Sequence, residues 1–171
     1  MLRISRVLPY LDLRETDELL NALCRHFASE NSWLESVAGR EHGIEHDIQS
    51  TTLYSVLLQK HEELNNLEME RFLKLQSVPT LHASCTEYRD VLARRALVLV
   101  EAEMAEAGKG RAPLAYALIS MGSDGREEQT LITDQDYLIV YADGGGEEAD
   151  SYFKEFAELL VERMAEIGFK K

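Results

Sequence analysis

Cysteine is scarce in this chain. The two present, Cys24 and Cys85, lie far apart, with no C-x-x-C pair and no dense framework. That excludes a small disulfide-stapled scaffold and fits a reducing compartment. Both thiols are expected to be buried packing residues. Long apolar runs are missing too. None reaches the ~18 residues of a membrane span, and the opening MLRISRVLPYLDLRETDELL turns charged too early for a secretory signal. Positive charge is outnumbered: 18 Lys and Arg face 31 Asp and Glu, a net charge of −13. Such a balance disfavours nonspecific binding to nucleic acid or to an anionic membrane. Internal repeats and low-complexity tracts are absent. The expectation is a cytoplasmic protein with neither membrane nor nucleic acid as partner.

What is there supports one domain, or a domain with a helical extension. The chain has 171 residues, of which 45% are apolar, enough for a sizeable core. Residues 1–112 read as helical. Asp12 and Glu15 fit a D-x-x-E cap, followed by Leu19, Leu20, Leu23, Cys24 and Phe27 at helical spacing. Asn31 and Ser32 are expected to interrupt this helix, with a short second one over 33–38, and Gly39 and Gly43 to loosen the chain. A long helix is expected from about Ile44 or Ser50 to Leu75. Leu53, Val56, Leu57, Leu64, Leu67, Phe72 and Leu75 form its apolar stripe. Pro79 ends it. Ser84 and Glu87 make a capping box for a helix to about Ala107, closed by Gly108-Lys109-Gly110.

The texture changes at Pro113. Residues 114–121 are a short apolar run bounded by turn residues, read as a buried strand, and 136–141 read as a second strand. Residues 147–167 form an amphipathic helix, with Phe153, Phe156, Leu160 and Met164 on its inner face, and Gly168 ends it. The fold class is therefore α+β: an N-terminal helical bundle or cap (1–112), then a partial α/β domain with a small mixed sheet (113–171). Because two strands are marginal alone, a third strand beyond Lys171 is expected, the chain being a truncated piece. A sheet edge exposed in this way could pair two chains into a homodimer.

Between the strands stands GSDGREEQTLITDQD, residues 122–136. Residues i and i+2 of a strand share a face, so Asp134 and Asp136 can aim two carboxylates at one point. Such a pair suits Mg²⁺, or Mn²⁺ in its place, with substrate phosphates completing the shell. Gly122 lets backbone approach a phosphate, and the Ser123 hydroxyl can donate to it. A helix starting within 124–130 would add its N-terminus. Arg126 could grip a phosphate oxygen or pair with Glu127 or Glu128. Together these groups could hold a metal-bound nucleoside triphosphate.

The string Gly122-Ser123-x-Gly125-Arg126-x-Glu128-Gln129-x-x-x-Thr133-Asp134-Gln135-Asp136 resembles the nucleotidyltransferase domain related to bacterial protein-PII uridylyltransferase, in the DNA polymerase beta-like superfamily. Residues 84–142 carry the likeness; 30–83 share only helical character. The resemblance implies Gly122, Ser123, Gly125, Arg126, Gln129 and Thr133 as nucleotide-binding residues, Thr133 orienting Asp134. It implies Asp134 and Asp136 as catalytic Mg²⁺ ligands. UTP would be the donor and a tyrosine of a PII-like signalling protein the acceptor, with CBS or cyclic-nucleotide-binding domains elsewhere in the full-length protein. The superfamily's third carboxylate, metal ligand and general base, has no counterpart assigned in this chain. General-base help is worth about 10²–10⁴ in rate, so this chain alone is expected to be inactive or very slow.

Two other readings compete. One is a noncatalytic nucleotide sensor or regulatory scaffold. The other is zinc chemistry at His42-Gly43-Ile44-Glu45-His46, an H-x-x-E-H match. Gly43 weakens a helix there by about 1 kcal/mol, and no third ligand stands at a recognisable spacing.

Overall fold

The computed structural model describes residues 13–132, 134 and 136–170. The chain divides into two compact units, Met1–Arg40 and Glu41–Lys171. Helix α1 runs from Leu13 to Ser50 without a break. The expected interruptions at Asn31-Ser32 and at Gly39 and Gly43 do not occur. Asn31 instead supports the helix through an i,i+4 bond from its Nδ2 to Glu35 Oε1 at 2.7 Å. Each glycine lowers helix propensity by only about 1 kcal/mol. Asp12, the expected cap, lies outside the described residues. Leu19, Leu20 and Phe27 are exposed, as is Cys24, so of the two thiols only Cys85 is buried. The described part of the first unit is one helix, and one helix cannot bury its own apolar stripe.

In the second unit α2 spans Tyr54–Leu75 and α3 spans Val78–Glu106. The long helix expected from Ile44 or Ser50 is thus split at residues 51–53. There Leu53 N–H donates to Thr51 Oγ1 at 3.2 Å, and Arg95 Nε on α3 donates to the Thr51 carbonyl at 2.8 Å. Helix α2 ends on Gln76, a left-handed residue at φ 50°. The next helix begins at once rather than at Ser84. Ser77 is its cap, and Pro79 falls in the first turn, where a missing N–H is tolerated. Ser84 is therefore not a cap; it is buried inside α3 and receives a hydrogen bond from Arg71 Nη1 at 2.6 Å.

Strands β1 (Tyr116–Ser120) and β2 (Tyr137–Tyr141) pair antiparallel, from Tyr116 opposite Tyr141 to Ser120 opposite Tyr137. Among the described residues the sheet is this antiparallel pair alone, rather than the mixed sheet expected; a parallel bridge joins Asp134 to Lys170 outside it. Helix α4 is one turn, Gly122–Gly125. It does not extend through the expected 124–130, because Glu127 takes a left-handed φ of 56°. Helix α5, Gly146–Glu166, returns across the sheet.

The core is continuous from Leu57 and Leu64 on α2, through Tyr88, Leu92 and Val100 on α3, to Phe153, Phe156 and Leu160 on α5. Tyr116, Leu118, Tyr137, Ile139 and Tyr141 pack against it from the sheet. Tyr141 stacks on Phe153 with centroids 4.3 Å apart. The first strand was expected to be buried. Both strands are half-buried on one face only: Ile119, Leu138 and Val140 point the other way and are exposed. Among the described residues no helix is long and apolar enough to cross a membrane.

Candidate nucleotide site

The β1–β2 register decides what meets at residues 122–136. Ser120 lies opposite Tyr137, and Met121 N–H extends the ladder to the Asp136 carbonyl at 2.8 Å. Gly122 leaves the strand at φ 59°, a left-handed conformation that favours glycine. A Cβ placed on Gly122 would lie 2.8 Å from Asp136 Oδ2. The aspartate carboxylate therefore rests on the glycine backbone. Gly125 is constrained in another way, since a Cβ there would stand 2.6 Å from the Ser120 carbonyl. The turn closes with Gly125 N–H to the Met121 carbonyl at 3.1 Å and Glu128 N–H to the Ser123 carbonyl at 2.8 Å.

Gly122, Ser123 and Asp136 are thus brought together at one end of the sheet. Asp134 and Asp136 are both exposed. Arg126 is exposed and paired with Glu128, Nε to Oε2 at 2.9 Å. Gln129 is not at the surface. It is fully buried, and its Oε1 accepts a bond from Arg89 Nη1 at 3.1 Å. Its place is behind the loop. Thr133 lies outside the described residues.

Two residues that the sequence reading passed over matter here. Arg89, on α3, is 3% exposed and bonds both Gln129 and the Leu131 carbonyl, the latter through Nη2 at 3.0 Å. It anchors the segment that leads to Asp134. Asp124 is also 3% exposed, and neither carboxylate oxygen has a hydrogen-bond partner among the described residues. Its charge is felt nearby. Asp90 is held above the usual carboxylate range, first by burial and then by the negative charges of Asp124 and Glu127, with Arg94 opposing. An arginine facing the loop across a helix has no local sequence signal. The G-S-D-G-R string gives no sign that Asp124 turns inward.

The residues suit a divalent cation in one respect. Asp134 and Asp136 are exposed hard-oxygen donors at alternate positions, beside the glycine turn. Among the described residues no group of three or more His, Cys, Asp or Glu could hold a metal ion. His42, Glu45 and His46 do not form such a group either. A cavity of about 620 Å³ lies between β2 and α5, lined by apolar groups such as Ile139, Phe153, Leu160 and Met164. It includes neither aspartate and is a packing groove rather than a reaction site.

Residues 62–171, well over half the chain, match the model of a family described as Putative nucleotidyltransferase DUF294. The chain belongs to this family. No curated protein and no solved structure matches it. The nucleotidyltransferase match begins within α2, ahead of the 84–142 segment that carries the motif likeness. It takes in most of α2, all of α3, both strands and α5. It also includes Arg89 and its bonds to the loop.

Proposed function

We propose that residues 122–136 form a Mg²⁺-dependent site for moving a nucleoside monophosphate from a nucleoside triphosphate to an acceptor hydroxyl. The observation that carries this reading is the seating of Asp136 on Gly122, which sets a carboxylate against the glycine turn. Asp134 and Asp136 would hold the cation, which when bound neutralises phosphate charge. Ser123 donates a hydrogen bond to a phosphate oxygen, and Gly122 allows the close approach. Gly125 and Gln129 support the loop. Arg126 would exchange Glu128 for phosphate, an exchange that an exposed pair makes easily because such pairs are worth under about 1 kcal/mol. In the reaction the acceptor oxygen bonds to the α-phosphorus and the bond to pyrophosphate breaks. The hydroxyl proton passes to a base or to solvent.

UTP as donor and a tyrosine of a PII-like protein as acceptor are the finer reading. They rest on the likeness of the 122–136 string. Competition among the four nucleoside triphosphates for the Mg²⁺-dependent site tests the donor. Preference for UTP supports it; equal binding of all four removes UTP and leaves the reaction class. A second reading, a noncatalytic nucleotide sensor, is favoured by the lack of a third carboxylate beside the pair among the described residues. Metal-dependent nucleotide binding without transfer in the full-length protein would favour it.

A further inference from the structure

A cavity of about 200 Å³ opens behind the loop, between α2, α3 and the segment after α5. That is room for about seven waters at bulk density. His61, Asn65, Arg89, Leu131, Gly168 and Lys170 line it. Among the described residues no aspartate or glutamate lines it, in a chain of net charge −13. We infer that this cavity binds a small oxyanion, a phosphate or carboxylate group, between Arg89, Asn65, Lys170 and His61. The inference stands apart from the nucleotide reading.

Three observations carry it. Arg89 is a buried cation without a carboxylate ion partner among the described residues; it bonds Gln129 Oε1 and the Leu131 carbonyl, lies over the Tyr88 ring and touches the Cys85 thiol, all of them neutral groups. Only two of five N–H groups are used in these bonds. A buried cation without an anion is costly unless something supplies the charge. Second, His61 is 5% exposed and its Nε2 has no partner among the described residues. Its Nδ1 is 2.8 Å from the Ile167 carbonyl, which can only accept, so Nδ1 carries the hydrogen. Nε2 is then the ring atom left for the cavity. Gly168 permits this contact, since a Cβ there would stand 3.1 Å from Nδ1. Third, Asn65 Oδ1 is already taken by the Tyr88 hydroxyl at 2.6 Å. That fixes the amide and leaves its NH₂ to offer.

Without an anion, burial holds the His61 pKa down, with Arg89 adding to the effect and the Ile167 carbonyl opposing it. The groups facing the ring are Glu62 on its own helix, Tyr88 and Arg89 on α3, and Phe169 and Lys170 after α5. An oxyanion would favour the imidazolium, whose Nε2–H can then donate. Binding should strengthen as pH falls through the histidine range. The site is also connected to the loop: Arg89 holds Leu131, and Lys170 is bridged to Asp134. Occupancy would brace the segment that carries Asp134.

The test is NMR titration of the His61 ring with inorganic phosphate and, separately, with acetate, in metal-free buffer without nucleotide. Two variants are run beside the wild type. Asn65→Asp keeps an acceptor for the Tyr88 hydroxyl but replaces the NH₂ with negative charge. Lys170→Met keeps the backbone bridge and removes the ammonium. Saturable shifts of the His61 signals and a raised His61 pKa are expected. Affinity should fall about threefold to tenfold in Lys170→Met and more than tenfold in Asn65→Asp. Whichever anion binds identifies the source. Absence of shifts with either anion at roughly 10 mM and pH 6 would overturn the inference. So would shifts that persist unchanged in both variants. Because neither metal nor nucleotide is present, a failure here is separate from a failure of the nucleotide site.

Discussion

The Asp136 carboxylate lies against the backbone of Gly122, so close that a Cβ on the glycine would be 2.8 Å from Oδ2. One contact thereby ties the turn after β1 to the acidic start of β2. It follows from the antiparallel register, which sets Met121 opposite Asp136.

Gly122→Ala should disturb both fold and site. The left-handed φ costs an alanine about 1–2 kcal/mol, and its methyl displaces the Asp136 carboxylate. The expected result is a modest loss in urea stability with a much larger loss of Mg²⁺-nucleotide affinity. Gly39→Ala is the control. A Cβ there meets nothing within 4 Å, so helix propensity should make it neutral or slightly stabilising. Equal affinities for wild type and Gly122→Ala would show that the contact has no bearing on binding.

Arg89 and Arg94 stand one turn or so apart on α3 but should differ sharply. Arg89→Met strips two loop acceptors, Gln129 Oε1 and the Leu131 carbonyl, of a buried donor. A loss of about 2–3 kcal/mol is expected. Arg94 makes an exposed i,i+4 pair with Asp90 at 3.0 Å, and Arg94→Met should change stability by under about 0.5 kcal/mol. Urea unfolding of the two variants decides this. Comparable effects would mean that Arg89 does not anchor the loop.

Glu68 gives the fold a pH dependence of defined sign. It is fully buried, and although Arg71 Nη1 is 2.8 Å away, Glu41 lies near the same arginine. Burial, then Glu41, push the carboxyl up to about 7 from 4.5, against the opposing pull of Arg71. The folded state therefore holds a proton that the unfolded chain has released. The corresponding stability is present below pH 4.5 and is lost as pH rises through 7. Glu68→Gln should flatten this slope, gaining on the order of 1–3 kcal/mol relative to wild type between pH 5 and pH 8. Melting curves across that range would show it. A wild-type slope unchanged by the substitution would assign the effect elsewhere.

The sequence made some of this visible. Gly122, Ser123 and Asp136 were legible because a glycine turn and the two-residue alternation of a strand are local signals. The apolar face of α5 was legible because its helical spacing is local too. Breaks in α1 were expected from Asn31, Gly39 and Gly43, yet weak local preferences lose to a long run of helical hydrogen bonds. Pro79 was read as ending a helix, whereas it also opens one. The bond between Arg89 and Gln129 spans forty residues, and no local pattern announces it. Nor could spacing show that Gln129 and Asp124 turn inward while Arg126 stays out. Only the packing of α3 behind the loop decides that.

The central claim is that 122–136 is a metal-dependent nucleotide site. Calorimetric titration of Mg²⁺-UTP and Mg²⁺-ATP into this chain, beside the Asp134→Ala/Asp136→Ala double variant, tests it most directly. Binding that requires Mg²⁺ and disappears in the double variant is expected. Binding that survives loss of both aspartates, or that is indifferent to Mg²⁺, would contradict the claim.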